Sequence, residues 1–283
     1  MSSEKLPVEL SKGVNGLEEI ILREARGSSA EVYLYGGHVT SWKNEHGEEL
    51  LFVSSKFSNH GPLQSHGFAR NRFWSIGPDP PAFPKKFIHY EFRLRVALGL
   101  GGDLMLTSRI RNMNTDGKPF TFAFAYHTYF SVSDISATKC LENATRNLFW
   151  CSVDWIYLSA PTKIAILDHE KKNYFIYQIL VIFAYIKMQK NIPESSLKCL
   201  SHFNSRSLVW NPWDKKAKAL ADFGDDEYKH MLCIEAATIE KPITLTPGEE
   251  WKGSQELCAV PPSYCGGLLD ARKVLQCAEK MHY

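Results

Sequence analysis

The stretch "KPFTFAFAYHTYF", Lys118 to Phe130, is a run of aromatic and small residues closed by a histidine. Side chains alternate along a β-strand, so Phe120, Phe122, Phe124 and Tyr126 share one face, while Thr121, Ala123, Ala125, His127 and Tyr129 share the other. Four large rings on one face require a packed layer to cover them. The second face carries small residues leading up to an imidazole, which is the pattern of a strand that borders a cavity. His127 is therefore both a marker of the fold and a candidate functional group.

Similar alternation recurs on either side. "AEVYLYGGHVTSWK" from Ala30, "EELLFVS" from Glu48, "YEFRLRVAL" from Tyr90, "DLMLTSRIRN" from Asp103, "TKIAILDH" from Thr162 and "HMLCIEAA" from His230 all read as strands. Gly99 to Asp103 supplies a hairpin turn, and Asp116-Gly117 a second one. Three consecutive strands are thus expected to form an antiparallel meander ending at His127. Helical periodicity is confined to Lys215 to Asp222. The fold class is all-β, two packed antiparallel sheets in a single domain over residues 1–283, because no Pro/Gly/Ser linker divides the chain.

Composition narrows the function. The chain has 283 residues, 44% hydrophobic and 23% charged, with a net charge of +2. These are soluble globular proportions, with no basic field of the kind a nucleic-acid partner requires. Small molecules are the expected partners, and the protein is expected to be a monomer. Seven cysteines without a C-x-x-C pair fit a reduced compartment. The N-terminus lacks an apolar leader core, so the cytoplasm is the expected location. The longest apolar run, Tyr174 to Ile186, is shorter than the roughly 20 residues a membrane helix needs.

Several further stretches carry chemistry. "SHGFARNRFW", Ser65 to Trp74, groups His66 with Arg70, whose guanidinium fork suits a phosphate or carboxylate and equally suits a surface ion pair. Glu235 stands inside the apolar run "HMLCIEAATIE", on the face of Met231 and Cys233, where burial would raise a carboxyl pKa toward the range useful for proton transfer. "VWNPWD" sets two indoles around Asn211, a composition suited to stacking on a sugar face or to closing a loop, so Trp210, Asn211 and Trp213 are candidates for either role. The ten histidines include no H-x-H or H-E-x-x-H arrangement, so metal ligation is not expected.

Taken together, "YLYGGHVTSWK", "HGFARNRFW", "FAYHTYFSVSDI", "VWNPWDKKAKALADFGDDEYKHMLCIEAA" and "ITLTPGEEW" resemble, in the same order, the hexose-6-phosphate mutarotases, the glucose-6-phosphate 1-epimerase branch of the aldose 1-epimerase family in its plant form. The similarity covers residues from about 18 to 135, 156 to 172 and 208 to 265, leaving 1–17 and 266–283 as expected flexible tails. The resemblance implies a large antiparallel β supersandwich of the galactose mutarotase type, without metal or cofactor. It implies His127 and Glu235 as the catalytic pair, with His66 and Arg70 in substrate binding.

The chain also departs from that family. The family's R-G-G-I-P-x-x-F-P-Q segment, whose arginine contacts substrate, has no counterpart after Lys56, and Gln64 stands one residue early. Arg206-Ser207-Leu208 replaces a segment that carries a sugar-binding aspartate. Asn173 to Ser207 looks foreign to the family: it contains the apolar run, which a buried strand or helix would explain, and then Lys187 to Ser207, which has neither the family's pattern nor clear strand alternation; Ala137 to Trp155 diverges as well. The expected activity is interconversion of the α and β anomers of a hexose 6-phosphate by acid/base ring opening. The competing reading is a β-sandwich carbohydrate-binding or regulatory protein that keeps the pocket without turnover.

Overall fold

The computed structural model describes residues 6–54, 67–77, 89–142, 145–148, 153–157, 163–168, 173–180, 206–221 and 223–260. In chain order the strands are β1 (Val8–Lys12), β2 (Glu18–Arg23), β3 (Ser29–Tyr33), β4 (His38–Lys43), β5 (Tyr90–Leu98), β6 (Leu104–Asn112) and β7 (Phe120–Ser131). They continue as β8 (Thr138–Glu142), β9 (Thr145–Leu148), β10 (Val153–Tyr157), β11 (Lys163–Asp168), β12 (Asn173–Leu180), β13 (Arg206–Asn211), β14 (Met231–Leu245) and β15 (Glu250–Val260). Among the described residues one short α-helix, α1 (Trp213–Ala219), begins two residues before the stretch where the sequence shows helical periodicity and overlaps most of it.

These strands make three antiparallel sheets, ordered β1-β2-β3-β4, β10-β13-β14-β7 and β5-β6-β15-β12-β11-β8-β9. The all-β class holds, but the expected meander does not. β5 and β6 pair as a hairpin, whereas β6 then pairs with β15, and β7 pairs with β14 in a different sheet. The Asp116-Gly117 turn therefore carries the chain between sheets. Asn112, fully buried, holds that crossing in place: its amide nitrogen donates to the carbonyls of Lys118 and Leu245 at 3.1 and 2.8 Å.

The aromatic face of β7 is core. Phe120, Phe122 and Phe124 pack on Ile110, Ile243, Leu245 and Trp251 from three other strands. Phe124 meets Trp251 at a ring separation of 4.8 Å, a distance at which aromatic pairs add to simple burial. Tyr126, next along this face, donates to the Gly253 carbonyl and meets Ser108 Oγ at 2.9 Å, tying the two sheets together. Burial pushes its phenol up to about 12, so it remains a neutral donor. The larger core cluster continues through Trp42, Leu50, Phe130, Ile135, Val209, Leu232, Ile234 and Leu257.

Strand β14 contains an irregularity that matters for the site. Its pairing with β7 runs from Met231↔Ser131 to Thr238↔Phe124, then resumes at Ile243↔Phe122, so four residues stand opposite one. Such a bulge shifts the phase of alternation. Before it, odd-numbered residues of β14 sit beside His127; after it, Ile243 and Leu245 join the aromatic core.

Other expectations are also corrected. "EELLFVS" is not a strand: Glu49 and Leu51 make only isolated bridges, to Lys43 and Phe130. Residues 8–12, assigned to a tail, form β1 and pair with β2. Of the two readings of the apolar run, its first part takes the strand: Asn173–Leu180 is held between β11 and β15; Arg206–Ser207, at the end of the stretch without alternation, opens β13. Residues 181–186 of the apolar run and the tail at 266–283 lie outside the described residues. Among the described residues, no helix is long and apolar enough to cross a membrane.

Candidate active site

The four-stranded sheet β10-β13-β14-β7 turns Leu232, Ile234 and Ala236 into the core, so the alternate residues Cys233, Glu235 and Ala237 occupy its other face. On β7 the same face begins with Thr121, Ala123 and Ala125, all exposed, and reaches the half-buried His127 and Tyr129. Glu235 and His127 stand directly opposite one another in the register. Such cross-strand neighbours have Cβ atoms about 5 Å apart, close enough for their side chains to meet.

His127 Nε2 lies 2.9 Å from Glu235 Oε1, and the two side chains keep 24% and 16% of their surface exposed. A ligand can thus reach both groups while protein shields most of each. Nδ1, the other ring nitrogen, faces Cys233 Sγ at 3.2 Å. The imidazole stacks on Tyr129 at 4.7 Å with an interplanar angle of 27°, and Tyr129 meets Trp210 edge to face at 6.4 Å. His127 is therefore held on its face by a ring and at both nitrogens by neighbours.

One end of this surface is closed by a small apolar cluster, in which Ala217, Phe223, Met231 and Cys233 pack with Phe52, Tyr129, Trp210 and Leu220. His127 and Glu235 meet directly, and Trp210 reaches them through Tyr129, the ring stacked on the imidazole. The two catalytic candidates are side by side on adjacent strands, not across a gap from each other. Cys233 and Tyr129 were on the correct face in the sequence pattern, but nothing in that pattern singled them out.

Asn211 has a different place. It is fully buried; its amide nitrogen donates to the Tyr228 and Met231 carbonyls at 2.8 Å each, and its carbonyl oxygen accepts from the Trp213 backbone N–H. These bonds lock the turn that starts α1, where Trp213 takes a left-handed φ of 56°. Asn211→Ala is expected to lower stability by about 2 kcal/mol, since buried polar groups lose their partners. Urea denaturation checks this; a raised KM with an unshifted midpoint would instead place the side chain on substrate.

Arg70 lies on a one-turn 3-10 helix, Ala69–Asn71. The segment is strapped to the β3–β4 loop: Gly36 N–H donates to Arg72, Trp74 N–H donates to Leu34, and Tyr35 bridges Phe73. Gly36 is required there, because its φ is +80° and a Cβ would stand 2.7 Å from the Arg70 carbonyl. The Arg70 charge also reaches His38. Although solvent touches that imidazole, the protein packed around it and the nearby guanidinium hold its pKa below the ordinary value. His66 lies outside the described residues.

The sheet that carries His127 and Glu235 on its open face belongs to a β-sandwich protein of stacked antiparallel sheets. Residues 55–154 and 190–258 match the family model described as "Aldose 1-epimerase". A protein of Cenchrus ciliaris named "Putative glucose-6-phosphate 1-epimerase" is 49% identical over 325 aligned positions, covering 94% of this chain and 92% of the relative. An Escherichia coli protein of the same name is 24% identical, covering 76% and 84%. Among solved structures, one from Salmonella typhimurium described as "a putative mutarotase" has a TM-score of 0.62 at 18% identity, covering 90% of this chain and 97% of that one. A galactose 1-epimerase from Lactobacillus acidophilus has a TM-score of 0.55 at 12% identity, covering 90% and 99%. At those identities the solved structures speak for the fold alone, which is galactose mutarotase-like.

The chain belongs to the aldose 1-epimerase family. The family match omits residues 155–189, which overlaps the stretch without family pattern, but it includes 137–154 and resumes at 190. The alignment with the Cenchrus relative is longer than this whole chain, so segments of that relative have no counterpart here.

Proposed function

We propose that this protein interconverts the α and β anomers of a hexose 6-phosphate, with His127 and Glu235 as the catalytic pair. The observation that carries the reading is the 2.9 Å contact between His127 Nε2 and Glu235 Oε1 on an open sheet face. Ring opening needs one proton removed from the C1 hydroxyl and one delivered to the ring oxygen. Glu235 as carboxylate takes the first, and His127 as imidazolium gives the second from Nε2. The C1–ring-oxygen bond breaks, leaving an open aldehyde, a protonated Glu235 and a neutral His127. After rotation about C1–C2 the aldehyde recloses, and both protons return by the reverse path.

The pair ends each turnover as it began, so the chemistry consumes no co-reactant. Each positioned proton transfer contributes roughly 10²- to 10⁴-fold, enough for a reaction that already proceeds slowly in water. Trp210 and Tyr129 are suited to wall the sugar ring, and Arg70 to hold the 6-phosphate through charge-assisted hydrogen bonds. The name of the Cenchrus relative supports glucose 6-phosphate as the first substrate to try.

The test follows pure α-glucose 6-phosphate by NMR as it relaxes to its anomeric mixture, with and without protein. Acceleration proportional to protein concentration is expected. Saturable binding of the sugar phosphate with no acceleration would favour the carbohydrate-binding reading.

A further inference from the structure

The catalytic histidine has two nitrogens, and the acid/base cycle uses only one of them. Nδ1 faces Cys233 Sγ at 3.2 Å, and Cys233 is fully buried on β14, two residues before Glu235. A buried ring nitrogen left without a partner destabilises whichever form of the ring requires it. In the imidazolium Nδ1 is a donor, and it stays one after Nε2 has given up its proton, because the neutral ring formed in that step keeps its hydrogen on Nδ1.

Cys233 Sγ can accept from Nδ1–H in both states, and so disfavours the other neutral tautomer, in which Nε2 would hold the hydrogen and could not take the proton back. The thiol must also remain neutral, because a thiolate would hold the imidazolium in a permanent ion pair. Burial, reinforced by the Glu235 charge, pushes the Cys233 thiol well above its ordinary pKa, so it stays protonated. Stacking on Tyr129 fixes the ring plane in which this hydrogen bond lies.

We propose that Cys233 is the positioning residue for His127, its thiol completing the Nδ1 hydrogen bond in both protonation states and thereby reserving Nε2 for exchange with Glu235 and the sugar. This role rests on His127 being the acid/base of the proposed reaction. It predicts a loss in turnover with little loss in binding. Serine, whose hydroxyl oxygen can also accept from Nδ1–H, should preserve what alanine removes.

The experiment compares wild type, Cys233→Ala and Cys233→Ser. It reads kcat and KM for anomer exchange, and the ring ¹⁵N resonances of His127, assigned by their absence in His127→Ala. Cys233→Ala is expected to lower kcat about 10-fold with KM nearly unchanged, and to move the Nδ1 resonance. Cys233→Ser is expected to restore most of the rate and the wild-type tautomer. Thermal unfolding of each variant establishes that the comparison is between folded proteins. An unmoved Nδ1 resonance in Cys233→Ala, or a serine variant as impaired as the alanine one, overturns the proposal. Should wild type show no catalysed exchange, the proposed reaction fails, while the ring spectra still decide whether Cys233 sets the state of His127.

Discussion

Glu235→Gln is expected to lower kcat for anomer exchange by about 10³-fold while leaving the fold and the affinity for sugar phosphate close to wild type. The substitution is nearly isosteric, and Glu235 remains partly exposed, so no cavity forms and no charge is stranded in the core. What disappears is a base that can accept the C1 hydroxyl proton. His127→Ala removes the other half and is expected to be as severe. If the two act as one unit, the double variant will be scarcely slower than either single variant. Losses that simply multiply would indicate two independent groups. A Glu235→Gln protein with wild-type turnover would remove the carboxylate from the mechanism altogether.

The largest expected effect on stability comes from Trp42. It is 1% exposed, lies in the main core cluster, and its indole N–H donates to the Gly102 carbonyl at 2.8 Å. This bond joins β4 of the first sheet to the β5–β6 turn of the seven-stranded sheet. Trp42→Ala removes a large buried side chain and leaves that carbonyl unpaired, for an expected loss of about 4 kcal/mol. Trp42→Phe keeps most of the ring volume and isolates the hydrogen bond, with an expected loss of about 1–2 kcal/mol. Chemical denaturation midpoints at constant m-value give both numbers. Equal losses for the two variants would show that the ring volume contributes little.

How much of this was legible beforehand can be followed strand by strand. The aromatic face of β7 was read correctly because alternation is a local property, and four rings at spacing two leave little choice of core side. The partner of β7 was not legible. Asp116-Gly117 is a good turn signal, but a turn says only that the chain changes direction, not which sheet it enters. That choice is made by Asn112, whose amide reaches residues 6 and 133 positions away in sequence. The edge strand β1 was missed because its outward Val8 and Leu10 stay exposed, giving alternation without an evident core.

The site shows the same division. Glu235 could be placed on the correct face of its strand, but its meeting with His127 depends on register between segments more than 100 residues apart. Cys233 carried no signal of its own, since a cysteine in an apolar run usually packs as a small hydrophobe. Asn211 beside two indoles suited a sugar contact or a loop closure, since short polar side chains commonly close turns. Only the bonds to Tyr228, Met231 and Trp213 distinguish the two roles.

The irregular pairing between Thr238 and Ile243 divides β14 into two independently timed halves. One residue gained or lost within that loose stretch can be absorbed there, with the carboxylate still pointing at its imidazole. The same change between Met231 and Glu235 would rotate the carboxylate into the hydrocarbon interior and bring an isoleucine or alanine out in its place. Length variation among natural or engineered versions of this chain should therefore be tolerated on one side of the catalytic glutamate and forbidden on the other.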